Sequence, residues 1–262
     1  MHKFIFIFSL ALLSACGAPS TKDDQQTITI SASSLPQADL LAQIKDSLKK
    51  EGISLNVIII DDYNIPNRAL ADEEVDANFF QHKPFLEEQI RQFHYPICVL
   101  AEIHVEPMGL YSQKKSLDDF KEGATIAIPN DPTNEARALL LLEKAGLITL
   151  KTKNIFNTTI IDIQNNPKKF HFIEVDAALL TRTLSEVEGA VIPTNYALLG
   201  DLSPEKDSFY TENKNSPYQN VIAIRCDDLN SPKLLILKKQ MQSDSMRSYI
   251  ISKYQGALIP AF

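Results

Sequence analysis

From residue 27 onward, segments that predict strands alternate with segments that predict helices, and the alternation comes in two blocks. The blocks span roughly 27–104 and 110–220, and a further strand with two helices follows at 221–262. Such alternation favours parallel strands joined by right-handed helical crossovers. The last segment would return to the first block. The pattern therefore predicts an α/β protein of two lobes, each a mostly parallel sheet flanked by helices, with two crossings between the lobes.

The element boundaries follow from the spacing of apolar residues and from the positions of Pro and Gly. The predicted strands are 27–32, 55–60, 76–80, 97–105 with an extension to 112, 125–128, 170–175, 189–192 and 221–224. The predicted helices are 37–50, a short one from Pro66, 83–93, 130–145, 177–184, 232–242 and 245–253. The 55–60 run, which is apolar except for Asn56, predicts a central strand buried on both faces.

The N-terminus has the pattern of a secretion signal. A basic start precedes residues 4–13, which are apolar except for Ser9. Ten residues are too few to span a bilayer, which takes about 20, but they suit a signal peptide. The run ends in Leu13-Ser14-Ala15-Cys16, which resembles a bacterial lipobox. We therefore predict a signal peptide over 1–15 and lipidation of Cys16; the alternative is an ordinary signal peptide with an incidental cysteine.

The predicted signal peptide and lipidation site determine where the mature chain begins and how the rest of it is organised. Residues 16–26 would form a lipidated, flexible tether, because they are polar and lack apolar periodicity. Residues 27–104 plus 221–262 would form lobe 1, and residues 105–220 would form lobe 2. The protein would be anchored by lipid in the cell envelope and face the periplasm or the cell exterior.

The net charge restricts the classes of binding partner, and the number of cysteines restricts the class of fold. With 26 basic against 33 acidic residues the net charge is −7, which argues against nucleic acid and anionic membrane surfaces. Three cysteines are too few for a disulfide scaffold. Once Cys16 is lipidated, Cys98 and Cys226 remain beside strands that flank the predicted crossings. They could form a disulfide or stay as buried free thiols, and the sequence leaves both open.

Motifs of catalysis and of metal or cofactor binding are missing from the sequence. It lacks G-x-S-x-G, H-E-x-x-H, a Walker A loop and G-x-G-x-x-G, and its eight glycines make a phosphate-binding loop improbable. The spacing of His82, His94 and His104 does not suit a metal site. The residues alone therefore predict neither a cofactor nor a metal, and they leave two classes open: a soluble α/β enzyme and a soluble α/β binding protein.

A cluster of aromatic and polar residues marks the end of the third predicted strand. Asn78, Phe80, His82 and Phe85 lie at this strand end and at the start of the next helix, and Tyr63 follows the preceding strand. Ring faces suit an apolar side chain, and amide and imidazole groups suit a polar head. Two aromatic loops on one sheet edge favour a pocket. The alternative is a core strand that ends in a capped helix.

A second cluster lies at the start of the helix from Pro132. Asn134 and Arg137 share a face near its N-terminus, where free N–H groups favour an anion. An arginine there can bind a carboxylate through two parallel hydrogen bonds. The alternative is a surface salt bridge to Glu135 or Asp131. Two further segments, around Asn195 and Asn220, also lie beside strand ends.

Several segments of this sequence together resemble one known family. The sequence resembles the methionine-binding lipoproteins, the NlpA-type substrate-binding subunits of methionine ABC importers. The resemblance covers nearly the whole chain after the lipobox and rests on segments 80–86, 104–112, 128–142, 174–182 and 195–197. It implies a type II periplasmic-binding-protein fold that closes around a free amino acid. Its implied partners are free methionine, an ABC permease with its ATPase, and a membrane reached through lipid on Cys16.

The resemblance also implies a role for each candidate residue. An aromatic cage for the thioether would consist of Tyr63, Phe80, His82 and Phe85. Arg137 would bind the α-carboxylate, and Asn195 and Asn220 would orient the polar head, with Asn78 and Asn134 as further candidates.

This sequence departs from the family at several positions. Relatives usually carry Tyr where it has Phe85, often Asn-Gly where it has Pro193-Thr194, and often Gln and Pro where it has Leu179 and Thr181. Because Phe85 belongs to the implied cage, another amino acid or a dipeptide stays an alternative ligand. A role as an adhesin or surface antigen also stays open.

Overall fold

The computed structural model describes residues 26–114, 116–213 and 215–262. The predicted signal peptide over 1–15, the lipidation at Cys16 and the tether up to residue 25 lie outside the described residues. None of the helices among the described residues is both long and apolar enough to cross a membrane.

The strands and helices alternate along the chain as the sequence pattern predicts. The strands are β1 (Gln26–Ala32), β2 (Ile53–Ile59), β3 (Ala77–His82), β4 (Ile97–Val105), β5 (Gly109–Tyr111), β6 (Thr125–Pro129), β7 (Thr149–Leu150), β8 (Ile163–Asn165), β9 (His171–Val175), β10 (Gly189–Ile192), β11 (Ser208–Thr211), β12 (Gln219–Arg225) and β13 (Ile259–Pro260). The helices are α1 (Asp39–Lys50), α2 (Pro66–Ala71), α3 (Lys83–Phe93), α4 (Pro132–Lys144), α5 (Leu180–Thr183), α6 (Thr194–Leu199), α7 (Pro204–Asp207), α8 (Pro232–Met241) and α9 (Asp244–Tyr254).

Two sheets define two lobes. The first has the order β13-β4-β12-β3-β1-β2 and the second the order β11-β5-β10-β6-β9, while β7 and β8 form a separate pair. The chain passes from the first sheet to the second between β4 and β5, and it returns between β11 and β12. These two crossings give the predicted two-lobed α/β fold. The residues at which each lobe begins and ends stay a prediction.

Each sheet is more mixed than the sequence pattern predicts. In the first sheet, β1 lies parallel to both β2 and β3, but β12 runs antiparallel to β3 and β4. In the second, β6 is parallel to β9 and β10, whereas β5 is antiparallel to β10 and β11. Every antiparallel pair within these two sheets involves a strand next to a crossing or to the C-terminus. The direction of such a strand is not fixed by a helical crossover within the sheet.

The prediction that 55–60 is a central strand buried on both faces is wrong. The strand there, β2, lies at the edge of the first sheet and pairs only with β1. Its first half is covered, with Ile53 and Leu55 buried, but Ile58 and Ile59 are 40% and 51% exposed. Polar Ser54 and Asn56 alternate with the apolar residues of the first half of the strand, and this alternation indicates a strand that is covered on one face only.

Helix α1 also begins two residues later than predicted. Residues 34–38 form a separate wide helical turn, in which Leu35 has an extended conformation. Helix α1 then buries Leu40, Leu41, Ile44 and Leu48 on one face, as its apolar spacing predicts. The turn leaves Gln37 buried ahead of that helix, where its side chain donates to Glu106 and Asn220.

Each lobe has its own apolar core, and a disulfide ties two strands of the first. The first core includes side chains of β1, α1 and α8, and the second includes side chains of β6 and α4. Cys98 on β4 and Cys226, directly after β12, form a disulfide with their Cα atoms 4.9 Å apart. Of the two states left open by the sequence, the structure has the bonded one.

Candidate functional site

A cavity lies between the two sheets. Strand ends, helix starts and crossing segments contribute its lining, as expected for a ligand site in an α/β protein. The lining residues are Tyr63, Phe80, Gln81, His82, Phe85, Glu106, Asn134, Arg137, Pro193, Thr194, Asn195 and Asn220. The cavity brings together eight of the nine ligand-site residues predicted from the sequence.

The exception is Asn78, which lies behind the cavity wall. Its side-chain amide donates to Oδ1 of Asn67 at 2.9 Å and to the carbonyl of Pro66 at 3.3 Å. Asn67 and Gln81 also exchange two hydrogen bonds of 2.7 Å between their side chains. Asn78 therefore supports the wall from behind and does not line the cavity in this conformation.

Aromatic rings form one wall of the cavity. The ring of Tyr63 lies 6.0 Å from that of Phe80 and 5.8 Å from that of Phe85, and Phe80 and Phe85 are 5.9 Å apart. The imidazole of His82 meets Phe85 edge-on at 6.1 Å. Tilted and edge-to-face pairs at these distances are favourable. The four predicted cage residues are thus one packed group.

The protonation state of His82 follows from its contacts. This residue ends β3 and caps α3, because its Nδ1 accepts a 3.0 Å hydrogen bond from the backbone N–H of Phe85. The proton must then be on Nε2, which lies 3.0 Å from Oδ1 of Asn134. Burial, and next the nearby charge of Arg137, lower the pKa of His82 to about 3. His82 is therefore a neutral member of the wall at physiological pH.

Side chains from the two lobes contact each other across the cavity. The Tyr63 hydroxyl donates to Oδ1 of Asn195, and His82 meets Asn134 as described. Burial raises the pKa of Tyr63 well above its ordinary value, so the hydroxyl keeps its proton. Nδ2 of Asn195 is buried without a hydrogen-bond partner among the described residues. The lobes are therefore closed around a site that still has an unused donor.

Arg137 is buried in the opposite wall, and its partner is not one that the sequence suggested. Its Nε donates to Oε1 of Glu212 at 2.8 Å, and its Nη2 donates to the other carboxylate oxygen of that residue. Nη2 also donates to the carbonyl of Glu106 at 2.6 Å. Burial alone would lower the pKa of Arg137, but the charge and hydrogen bonds of Glu212 outweigh it and raise the pKa.

The alternative of a surface salt bridge to Glu135 or Asp131 is wrong. Asp131 caps α4 by accepting from the backbone N–H of Asn134, and Glu135 accepts from the backbone N–H of Ile160. Arg137 itself is only 3% exposed. Its hydrogen bonds to the described residues come from Nε and Nη2, and none comes from Nη1.

Sequence reasoning missed Glu106, a carboxylate that lines the cavity. Its Oε1 lies 2.7 Å from Nε2 of His104 and accepts a 2.8 Å hydrogen bond from Nε2 of Gln37. No hydrogen bond to the described part of the chain uses its Oε2. The position directly after the long strand 97–105, at a predicted crossing, is the signal that could have identified it.

The remaining polar lining belongs to the crossings and to α6. Asn220, at the start of β12, accepts a 3.2 Å hydrogen bond from Gln37. Thr194, one of the departures from the family pattern, donates from its hydroxyl to the carbonyl of Pro107 at 2.6 Å. Within residues 26–114, 116–213 and 215–262, no group of three or more His, Cys, Asp and Glu side chains is arranged to hold a metal.

Comparisons with known proteins agree over the full length of the fold. The family model described as NlpA lipoprotein matches residues 28–262. The chain is 37% identical to the methionine-binding lipoprotein MetQ of Bacillus subtilis (strain 168) over 270 aligned positions, which cover 98% of each chain.

Two solved structures have the same fold. One is an ABC transporter periplasmic substrate-binding protein from Coxiella burnetii, with a TM-score of 0.85 and 47% identity over 89% of this chain and 100% of that one. The other is a nutrient-binding protein from Burkholderia cenocepacia bound to methionine, with a TM-score of 0.87 and 42% identity over 90% of this chain and 100% of that one. The similarity spans both sheets, and with them the walls of the cavity.

Proposed function

The chain belongs to the NlpA lipoprotein family, and from this premise we propose that it is a solute-binding protein that captures free methionine between its lobes. It would be held to a membrane by lipid on Cys16 and deliver its ligand to an ABC permease with a cytoplasmic ATPase. It would carry out no covalent chemistry. The relatives named above are binding proteins, and the one from Burkholderia cenocepacia holds methionine.

One observation carries the proposal: the cavity lining has one cation and one carboxylate with unused hydrogen-bonding atoms. Nη1 of Arg137 suits an α-carboxylate, and Oε2 of Glu106 suits an α-ammonium. A buried charge is tolerated only when it is paired, so this arrangement favours a zwitterion over an uncharged or singly charged ligand. Nδ2 of Asn195, which has no partner among the described residues, adds an amide donor to the lining, and Asn220 lines the same cavity.

The aromatic wall suits the side chain of methionine. Tyr63, Phe80 and Phe85 offer ring faces and edges to an apolar group, and neutral His82 adds no charge. A thioether sulfur gains about 0.3–1.5 kcal/mol from contact with an aromatic ring. An unbranched, polarizable side chain fits such a wall better than a charged one, whose burial would lack a partner.

Capture would depend on closure of the two lobes. The hydrogen bond from Tyr63 to Asn195 and the contact of His82 with Asn134 exist only when the lobes meet. A ligand shifts the population toward this state by as much as its contacts favour the closed over the open form. A zwitterion that touches Arg137 on lobe 2 and the ring wall on lobe 1 makes such contacts.

The proposal is tested with ligand-free protein. A chain that starts at Gln26 is unfolded, dialysed and refolded, and it is then titrated by calorimetry with L-methionine, D-methionine, L-leucine, L-glutamate and a glycyl-methionine dipeptide. We expect methionine to bind most tightly and glutamate not to bind. Tighter binding of leucine or of the dipeptide would contradict methionine as the ligand. Mass analysis after long incubation would reveal turnover, which would contradict a purely binding role.

A further inference from the structure

Arg137 is held in place by residues of both crossings. From the first crossing, the carbonyl of Glu106 accepts from Nη2. From the second, Glu212 accepts from Nε and Nη2, and the ring of Tyr218 lies 4.3 Å from the guanidinium carbon. The guanidinium is thus fixed along one edge and over one face.

Glu212 is itself fastened to the other crossing. Its backbone N–H donates to the carbonyl of Met108 at 3.0 Å, and its Oε2 accepts from the backbone N–H of Met108 at 3.0 Å. Its side chain is 9% exposed. A carboxylate with these backbone contacts and a buried arginine cannot leave its place without stranding a charge. Glu212 therefore acts as a fixed support.

We infer that Glu212 is a positioning residue for ligand recognition: it holds the Nε and Nη2 edge of Arg137 so that Nη1 alone is presented to the ligand carboxylate. This inference rests on the proposed function, because it needs Arg137 to bind that carboxylate. Glu212 is not among the residues that line the cavity, so it acts through Arg137. The contact with the ligand is then made by one nitrogen, and not by the two-nitrogen fork that the sequence suggested.

The alternative role for Glu212 is competition with the ligand for Arg137. A competitor would have to release Arg137 when the ligand binds, and the contacts with Met108 oppose such a movement. Glu212 also accepts from Nε and Nη2 of Arg137, whereas the unused nitrogen is Nη1, so Glu212 and the ligand would not share a donor. The two roles predict opposite changes in affinity when the carboxylate is replaced.

Glu212→Gln separates these roles, with Glu143→Gln as the matched control. Glu143 likewise pairs with one cation, Lys153 at 2.9 Å, and accepts from one backbone N–H, that of Leu150 at 3.0 Å. Its side chain is 16% exposed, and it lies on α4 away from the cavity lining. Both variants, and the wild type, are titrated with L-methionine and with its carboxamide, which lacks the carboxylate.

We expect the wild type to prefer the acid and Glu212→Gln to lose most of that preference. In the variant, the amide NH₂ faces other donors, so at least one hydrogen bond to Arg137 is lost. The affinity for methionine should fall about ten- to a hundredfold, which is the range for one charged hydrogen bond. The affinity for the carboxamide should change less than threefold. Glu143→Gln should keep the wild-type ratio of the two affinities.

Each other outcome has a distinct meaning. If the wild type binds acid and carboxamide equally, the proposed role of Arg137 fails, and this inference fails with it. If the wild type prefers the acid over the carboxamide and Glu212→Gln keeps the same preference, only the positioning role of Glu212 is overturned. If Glu212→Gln binds methionine more tightly than the wild type, the positioning role is overturned in favour of competition. Should Glu212→Gln not fold, Glu212→Asp keeps the charge but shortens the reach. Its acid preference should be intermediate, and a wild-type ratio there overturns the inference.

Discussion

The hydroxyl of Tyr63 donates a 2.7 Å hydrogen bond to Oδ1 of Asn195, and this bond joins the two lobes at the cavity. The two residues are 132 positions apart, and each lies beside a strand end of its own sheet. The tyrosine ring also packs on the rest of the aromatic wall. One side chain therefore both lines the cavity and joins the lobes, and a substitution that removes only its hydroxyl changes the second contact alone.

We expect Tyr63→Phe to weaken methionine binding by about two- to twelvefold, because it removes one neutral hydrogen bond worth about 0.5–1.5 kcal/mol from the closed state. The ring remains, so the wall is preserved. The loss should appear mainly as faster dissociation of the ligand, measured by stopped-flow displacement. Tyr249→Phe is the control, because it removes a 2.8 Å hydrogen bond from a tyrosine hydroxyl to Asp39 within lobe 1. Equal dissociation rates in the two variants would contradict the role of Tyr63 in closure.

Arg137 gives a second prediction. Arg137→Ala should weaken methionine binding by about 10²–10³-fold, since removing one partner of a buried ion pair costs roughly 3–5 kcal/mol. Arg137→Lys should recover only part of this loss, because an ammonium cannot satisfy Glu212 and the ligand in the same planar geometry.

The control for Arg137 is another arginine with structural contacts only. Arg225 donates to the carbonyls of Leu70 and Val75 within lobe 1. Arg225→Ala should lower the melting temperature and leave methionine affinity within about threefold. Calorimetry measures the methionine affinity of both variants. If Arg137→Ala also lowers the melting temperature and leaves the methionine affinity within about threefold, Arg137 is a structural arginine and not a ligand contact.

The sequence predicts the order of the elements well because strand and helix periodicity are local properties. It predicts that His82 and Arg137 share a site because strand ends and helix starts of an α/β fold meet at the cleft. It cannot predict which strand becomes an edge, as β2 shows, because strand order depends on contacts between distant segments.

Contacts between distant segments also explain why the sequence did not predict the roles of Glu106 and Glu212. Glu212 belongs to no motif, and Glu106 lies in segment 104–112 without a chemical role assigned to it. Both residues contact Arg137, from which they are 75 and 31 positions away respectively. Acidic residues near Arg137 in the sequence, Asp131 and Glu135, looked like better partners. The helix turns them toward backbone N–H groups instead. The disulfide between Cys98 and Cys226 was likewise undecided until the register of β4 and β12 placed them together.

The neutral state of His82 predicts a pH dependence of stability. In the folded protein its pKa is about 3, whereas a histidine in the unfolded chain titrates near 6.5. Between these values the unfolded state binds more protons. The free energy of unfolding should therefore fall as the pH falls from 6.5, by up to about 1.4 kcal/mol per pH unit from this group.

His82→Asn isolates this contribution, because Asn can still cap α3 but does not titrate. We expect its free energy of unfolding in urea to change less between pH 7 and pH 5 than that of the wild type. The control His94→Asn changes an exposed histidine with φ of 56°, a conformation that Asn tolerates. It should follow the wild-type curve, and parallel curves for all three proteins would contradict a buried, neutral His82.

The disulfide between Cys98 and Cys226 joins residues that are 128 positions apart in the chain. A cross-link over a loop of about 100 residues removes chain entropy equivalent to about 4.7 kcal/mol from the unfolded state, and measured losses on removing a native disulfide are about 2–5 kcal/mol. Reduction with dithiothreitol should lower the urea midpoint of unfolding of a chain that starts at Gln26. Cys98→Ala/Cys226→Ala is the control, and its midpoint should be low with or without reductant.

Methionine affinity should be insensitive to the same treatment. Cys98 lies near the start of β4, and His104 lies near its cavity end, six residues further along, a distance of about 20 Å in an extended strand. The bond therefore stabilises lobe 1 from the end that is remote from the ligand, and it does not hold the cavity wall. We expect the double variant to bind methionine within about threefold of the wild type at a temperature where both are folded. A much larger loss would mean that the positions of β4 and β12 at the crossings depend on the disulfide, and two reactive thiols in the unfolded, unreduced protein would contradict the bond itself.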